Sequence, residues 1–499
     1  MLTAIVIVPL ITALLLALIP RNFRFVMRLL SLAATLVTLV LAVFLLLRFE
    51  TGSADYQFVV QRSWVESLGI SFYLGVDGIN IGLVFMAALV GFAAACVSWE
   101  IKHHEKEFYV LLLVMTGGII GAFASLDLFR FYFFHELALV PTFIMIGLWG
   151  RGEQKNFATF QITLYLSLGA LIALVGLIAL YVQMPAPVRT FEIPRIIAYF
   201  QTAPLAASAQ HWIFPLLMFG FGILVSLWPF HTWAPIGYTA APSATAMLHA
   251  GVLKKFGLYG LIRVALPIIS DDAVRKQWLW VLALLCLGNI VYCGWVAMRQ
   301  RDLNLLIGNS SVAHMGFVFL GIASLSVIGI TGAVMVMVAH GLLAALTFGL
   351  TGYLYNHAGT LDMDNLGGLL KKLPFIGTVM IMAMFAGCGL PGFANFVGEV
   401  LVLFGSWKTL PWFVVAGAWG ALVIGAIYML RAVRDVWHGE VAETATVQDA
   451  SAWRKVPFVL LLAALIIVGV WPRVLTDKIE PSVKRIVTVA GLPTVAVVK

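Results

Sequence analysis

The chain has 499 residues, of which 62% are hydrophobic and only 11% are charged, and its formal net charge is +8 at pH 7. Soluble domains contain about half apolar and about one quarter charged residues, so this composition excludes an ordinary soluble protein and predicts an integral membrane protein. The positive charge falls mainly in short loops, where it reports on membrane orientation and gives no reason to expect a nucleic-acid partner.

Apolar runs long enough for one membrane-spanning helix recur from Met1 to Trp471. Their number predicts an all-α polytopic protein in the lipid bilayer with about 14 transmembrane helices. Basic residues concentrate in the loops of one side, which carry Arg21, Arg24, Arg28, Lys102, Arg151, Arg299, Lys371 and Arg431. By the positive-inside rule these loops face the cytoplasm, so both termini lie on the outer, periplasmic side of a bacterial inner (plasma) membrane.

Two proline-containing segments break a helix within the membrane: SLWPFHTWAP at residues 226–235 and GLPGFANFVGE at residues 389–399. Proline removes a backbone donor, so the freed carbonyls need partners from protein or water. Each break lies near the end of a block of five helices, which predicts two inverted repeats, each with one broken helix. The predicted organisation is helices 1–3 in 1–105, a first repeat of helices 4–8 in 106–270, a second of helices 9–13 in 271–440, and a final helix with a C-terminal tail in 441–499.

Several ionisable residues stand in the middle of apolar runs, where a charge costs about 2.5 to 3.5 kcal/mol on insertion scales. The charged ones are Glu136, Lys254, Lys255 and Glu399. The histidines are His135, His231, His249, His314 and His340. A buried histidine is commonly just a hydrogen-bonded core residue, but a buried carboxylate must find a cation or a proton. Together these groups predict a chain of proton sites across the middle of the bilayer.

The adjacent lysines in HAGVLKKFGLYG require separate roles, because neighbouring helix residues point about 100° apart. Lys255 shares one face with Tyr259 and Arg263 at four-residue intervals, which forms a polar line through an apolar helix. We therefore expect Lys255 to be the central proton carrier. We expect Lys254 to act as an auxiliary cation that reaches back toward Glu136.

Motifs of redox or hydrolytic chemistry are missing from the sequence. There is no glycine-rich phosphate loop before a lysine, no CxxC and no HExxH, and the four cysteines lie in apolar runs without metal-ligand spacing. We expect neither a cofactor nor a metal in this chain, so the energy that drives the protons must come from elsewhere.

Six ordered segments carry a resemblance to a known family: FFHELALVPTFIMIGLWG, PFHTW, AGVLKKFGLYGLIR, NSSVAHMGFVFLGI, MVAHGLLAALTF and GLPGFANFVGEVLVLFGS. Together they resemble the antiporter-like membrane subunits of respiratory complex I. The resemblance implies a 14-helix subunit in the membrane arm of a proton-translocating NADH:quinone oxidoreductase. NADH, FMN, iron–sulfur clusters and quinone would belong to other subunits, and the partners would be membrane-arm subunits, especially neighbouring antiporter-like ones.

The resemblance also assigns residues. By motif, Glu136 matches the glutamate of helix 5, Lys255 a lysine of helix 8 and Glu399 the glutamate of helix 12. His314 and His340 match the central histidines, and the five together imply the polar axis along which relatives are thought to move a proton.

The chain departs from this family around the first break. Relatives carry a lysine where this chain has Leu224, and Lys254 is an extra lysine where they usually have leucine. Their Asp, His and Glu in the next segment are replaced by Ile236, Tyr238 and Ala240. Lys254 and His231 are therefore candidates for a substitute cation. Three hypotheses stay open: a proton-pumping subunit of complex I, a subunit of a cation/proton antiporter or membrane-bound hydrogenase, and a scaffold that does not pump.

Overall fold

The structure, a computed structural model, describes residues 1–441 and 447–490. Helices α1 to α6 span Leu2–Leu18, Arg24–Arg48, Ile81–Val97, Glu105–Ala124, Leu128–Trp149 and Lys155–Val182. Helices α7 to α12 span Ile193–Thr202, Ala207–Val225, Trp233–Ala240, Ser243–Leu248, Lys255–Gly260 and Leu266–Ile268. Helices α13 to α18 span Asp272–Leu287, Cys293–Arg299, Leu303–Ala323, Val327–Ala358, Pro374–Gly387 and Ala394–Ser406. Helices α19 to α22 span Pro411–Trp419, Ala426–Trp437, Ala452–Val470 and Arg473–Val489.

The multi-pass helical architecture confirms the predicted fold class. Within the described ranges, 11 helices are long and apolar enough to cross a membrane, and three shorter apolar helices are Leu2–Leu18, Pro374–Gly387 and Ala394–Ser406. The expected number of about 14 spanning helices stays a prediction. The core lies around α3, α15 and α16, in whose spanning stretches 89%, 94% and 89% of the residues are buried inside the protein.

Short π-helical segments join several consecutive helices into longer ones. His249–Leu253 precedes Lys254 and α11, and Leu261–Ala265 joins α11 to α12. Residues 243–268 therefore form one helix with two π-helical segments, and it carries both lysines. Such segments shift the rotation of the residues that follow and are frequent at functional sites.

One β-hairpin accompanies the helices of this predominantly α fold. Strands β1 (Gln57–Val65) and β2 (Ile70–Val76) pair antiparallel between α2 and α3. The membrane face that carries them is called the hairpin side below, and the opposite face is called the basic-loop side. Helix α22 packs on the hairpin side, where the backbone N–H of Gly78 donates to the Ser482 hydroxyl at 3.0 Å.

On each membrane face, an aspartate caps a long helix and its backbone also forms an isolated β-bridge. On the hairpin side, Asp127 caps α5 by accepting from a backbone N–H at 3.1 Å, and its backbone pairs with Glu192 before α7. On the basic-loop side, Asp302 caps α15 in the same way at 2.9 Å and pairs with Asp362 before α17. This is the arrangement that an inverted repeat predicts. The four predicted ranges remain predictions, and the last, 441–499, includes residues 442–446 and 491–499, which lie outside the described residues.

Both predicted helix breaks are present. Helix α8 ends at Val225, Ser226 adopts a φ of 72°, and the chain becomes α-helical again at Trp233. Helix α17 ends at Gly387, and α18 begins at Ala394 after a segment in which two glycines have positive φ.

Candidate functional site

Lys255 occupies the centre of the site. Its Nζ donates to the carbonyl of Ala250 at 2.8 Å and lies 2.9 Å from Nδ1 of His340 on α16. Both side chains are buried, with Lys255 at 0% and His340 at 2% exposure. An ammonium group can only donate, so His340 Nδ1 accepts when the lysine is charged. This contact joins two groups that can exchange a proton.

Two further residues continue the line away from Lys255. The ring centres of His340 and of His314 on α15 are 5.5 Å apart. Nε2 of His314 lies 3.5 Å from Oε1 of Glu399 on α18. Lys255, His340, His314 and Glu399, called the ionisable line below, thus come from four different helices, and all four are buried.

The second helix break positions the far end of the ionisable line. The carbonyl of Gly387, at the end of α17, lies 3.2 Å from Nε2 of His314, so a backbone group near the break finds a partner in the site. Gly389 has a φ of +68°, and a Cβ there would lie 2.9 Å from Oε2 of Glu399. A cavity of about 10 Å³, roughly the size needed for one water, is lined by both ionisable groups and by Tyr428.

The structure turns Lys254 toward α15. Its Nζ lies 3.3 Å from the hydroxyl and 3.5 Å from the carbonyl of Ser311, and 5.6 Å from the centre of the Tyr238 ring. The expectation that Lys254 reaches Glu136 is wrong for this structure. His135, which precedes Glu136, stacks at 3.9 Å on Phe256, two residues and therefore about 200° around the helix from Lys254.

The remaining candidates make no hydrogen bond or ion pair with the ionisable line among the described residues. The Glu136 side chain is 34% exposed, and its Oε1 lies 3.4 Å from Nδ1 of His135. His231 lies at the first break, with Nδ1 3.2 Å from the carbonyl of Pro229. His249 packs its ring 5.6 Å from the ring of Tyr238. The structure therefore brings four of the seven predicted site residues into one line.

Asn289 is a site residue that the sequence analysis missed. It is fully buried, accepts from the backbone N–H of Trp228 at 2.8 Å, and donates to the carbonyls of Ser226 at 2.9 Å and Val312 at 3.2 Å. The bonds to Ser226 and Trp228 satisfy backbone groups that the first break leaves free, and the bond to Val312 joins the break to α15. A lone asparagine in an apolar run was the signal that could have identified it.

In the described ranges, no group of three or more His, Cys, Asp or Glu side chains could hold a metal ion. Of the four cysteines, three are buried and Cys388 is half-buried. The expectation of a chain without cofactor stays a prediction.

Comparison with known proteins places this chain in a family. A profile described as "NADH:quinone oxidoreductase/Mrp antiporter, TM" matches residues 125–425. NADH-quinone oxidoreductase subunit M of Rhodobacter capsulatus is 33% identical over 475 residues, which cover 94% of this chain and 91% of that protein. F(420)H(2) dehydrogenase subunit M of Methanosarcina mazei is 33% identical over 461 residues, which cover 92% of each.

Solved structures agree with the family match. A chain of respiratory complex I from Thermus thermophilus with bound NADH superposes with a TM-score of 0.89 at 27% identity, covering 99% of this chain and 100% of that one. A chain of the Mrp complex from Dietzia sp. DQ12-45-1b superposes with a TM-score of 0.83 at 18% identity, covering 98% of both, which shows the shared fold alone. The chain therefore belongs to the NADH:quinone oxidoreductase/Mrp antiporter family of transmembrane subunits.

Proposed function

We propose that this chain is a membrane-arm subunit of an NADH-quinone oxidoreductase and that it moves protons along the ionisable line. The observation that carries this proposal is the buried sequence of contacts from Lys255 through His340 and His314 to Glu399, within a core that is otherwise largely apolar. Ionisable groups at membrane depth are costly, and they mark ion and proton pathways when they face a protein interior.

Each contact allows a different step. Lys255 can give a proton to Nδ1 of His340 directly, because 2.9 Å is hydrogen-bond distance. The centres of the two histidine rings are 5.5 Å apart and their nitrogens bond other groups, so the next transfer needs a bridging water or a ring rotation. His314 and Glu399, at 3.5 Å, need only a small approach. The gap between the histidines is therefore the point at which proton movement can be controlled.

The driving reaction belongs to other subunits. One relative is named for NADH-quinone oxidoreductase and another for F(420)H(2) dehydrogenase, and both are 33% identical to this chain. Equal similarity to subunits of enzymes named for different electron donors supports a chain that does not contact the donor. NADH, FMN, iron–sulfur clusters and quinone are accordingly placed in other subunits of the complex.

Glu136 supports a neighbouring membrane subunit as partner. Beyond its contact with His135, the Glu136 carboxylate is 34% exposed on a spanning helix, where lipid would offer this exposed part neither a cation nor a donor. A neighbouring antiporter-like subunit with a basic side chain at this depth would cover it. We assign the hairpin side to the outside of the cell, because the basic residues of the opposite loops favour the cytoplasm.

The test interrupts the ionisable line at its middle. His340→Leu is compared with His357→Leu, which makes the same change near the end of the same helix. Protons translocated per electron pair are measured in sealed vesicles that contain equal amounts of the assembled complex. His340→Leu should lower the ratio, and His357→Leu should leave it unchanged. An unchanged ratio in His340→Leu would contradict the proposal and favour a scaffold that does not pump.

A further inference from the structure

We propose that Arg263, held by Asp77, is a barrier that stops protons from leaving Lys255 toward the hairpin side. This inference rests on the proposed role of Lys255 as a proton carrier. It concerns a second polar line in the protein, which points away from Glu399.

The second line follows one face of the lysine helix. Lys255, Tyr259 and Arg263 recur at four-residue intervals and span about 12 Å along the helix axis. The Tyr259 hydroxyl accepts from Nε of Arg263 at 3.2 Å and lies 3.4 Å from Nδ2 of Asn80. All of these side chains are buried. Polar groups therefore continue from the central lysine to the end of its helix.

This line ends at a cavity on the hairpin side. The cavity has a volume of about 40 Å³, enough for water, and its lining includes Tyr56, Asp77, Arg263, Ser482 and Arg485. The Arg485 side chain is 51% exposed, so the cavity lies next to the protein surface. Lys255 lies about two helical turns before Arg263 at this cavity. Its Nζ bonds the Ala250 carbonyl in the other direction, so a change of side-chain rotamer would be needed to bring the proton toward Tyr259.

A route this short would bypass the histidines. A proton that left Lys255 through Tyr259 would reach the hairpin side without passing His340, His314 or Glu399. Any control exerted at the gap between the two histidines would then be lost. A subunit that pumps through the ionisable line has to keep the second line closed.

The chemistry of arginine closes the second polar line to protons. A group that relays protons must both accept and donate, whereas a guanidinium group only donates and stays protonated in proteins. Arg263 is 3% exposed and donates to both oxygens of Asp77 at 2.7 and 2.5 Å, and to the Tyr56 hydroxyl at 3.1 Å. Its Nε also donates to Tyr259, so the link from that hydroxyl to Asp77 at the cavity runs through a group that only donates.

The Arg263–Asp77 ion pair also holds the π-helical segment Leu261–Ala265 against the segment before α3. The test therefore needs a readout that loss of this structural contact alone would not change. Passive proton leak is that readout, because it requires no electron transfer. Sealed vesicles containing the complete complex receive a potassium diffusion potential without substrate, and a trapped pH dye records proton flow.

The main variant combines Arg263→Gln with Asp77→Asn, which keeps hydrogen-bonding side chains and leaves no unpaired charge. The matched control combines Arg275→Gln with Asp272→Asn, an ion pair on the same side of the membrane that does not line the cavity. We expect a several-fold higher leak in the main variant and the leak of the unmodified complex in the control.

Adding Lys255→Leu to the main variant should return the leak to the original level. A leak that persists without Lys255 would overturn the inference, as would a main variant that assembles and leaks no more than the control. If the neutral pair does not assemble, Arg263→Lys replaces it: it keeps a cation for Asp77 but can release a proton. That variant should also leak through Lys255, and a leak at the original level would again overturn the inference.

The two proposals fail in distinguishable ways. Failure of the proposed function appears as unchanged driven pumping in His340→Leu. Failure of the barrier appears as unchanged passive leak in a complex whose driven pumping is normal.

Discussion

Replacing Asn289 with leucine removes the side chain that satisfies the first helix break. Asn289 makes three hydrogen bonds, to Trp228, Ser226 and Val312, at 2.8 to 3.2 Å. Side-chain hydrogen bonds between membrane helices contribute about 0.6 kcal/mol on average and at most about 1.7. Loss of three such bonds should lower the free energy of unfolding by about 2 to 5 kcal/mol. The upper value is expected, because backbone groups at the break would be left buried without a partner.

The matched control is Asn304→Leu. Asn304 is also fully buried, but neither of its side-chain polar atoms has a hydrogen-bond partner among the described residues. The same substitution should therefore cost less than about 1 kcal/mol or stabilise the protein. The unfolding free energy of the purified chain is measured by SDS titration in mixed micelles, followed by tryptophan fluorescence. A loss for Asn289→Leu no greater than that for Asn304→Leu would refute the assignment of Asn289 to the break.

Two other pairs of variants separate position from role. Lys254→Leu and Lys255→Leu lie at nearly the same depth, so each should favour membrane insertion of its helix by a similar amount, about 3 kcal/mol, in a glycosylation-mapping assay. Of the two, Lys255→Leu should remove most of the driven proton translocation and Lys254→Leu should weaken it less; equal losses would contradict the assignment. Gly389→Ala should lower translocation, because its Cβ would lie 2.9 Å from the Glu399 carboxylate, whereas Gly392→Ala, which has the same kind of positive φ and no atom within 4 Å, should affect it less. Equal translocation in these two alanine variants, measured at matched assembly, would show that the contact with the carboxylate is unimportant.

Local chemistry made part of the site predictable from the sequence. Proline within an apolar run predicted both helix breaks, and an ionisable group in mid-helix marked Lys255 and Glu399 without knowledge of their neighbours. The direction of Lys254 was not predictable, because the π-helical segment His249–Leu253 before it changes the rotation assumed for a regular helix. The hairpin was not predicted for a different reason. Long apolar runs identify spanning helices but give no signal for short alternating strands such as Gln57–Val65.

Partners that are distant in the chain were beyond a single sequence. The four-residue spacing predicted the polar line through Tyr259 and Arg263, but its end at Asp77 lies 186 residues earlier. Asn289 likewise bonds residues more than 60 positions away at the first break. Nothing in the local pattern specifies such pairings, because packing of whole helices brings them together.

The central claim is that a proton reaching Glu399 has come through Lys255. Infrared difference spectroscopy of the complex during turnover can follow the carboxylic C=O band of protonated Glu399, which is identified by its absence in Glu399→Gln. The account predicts that this band changes with turnover in the unmodified complex and that the change is lost in Lys255→Ala at equal assembly. A turnover-dependent Glu399 band that is the same in Lys255→Ala as in the unmodified complex would contradict it.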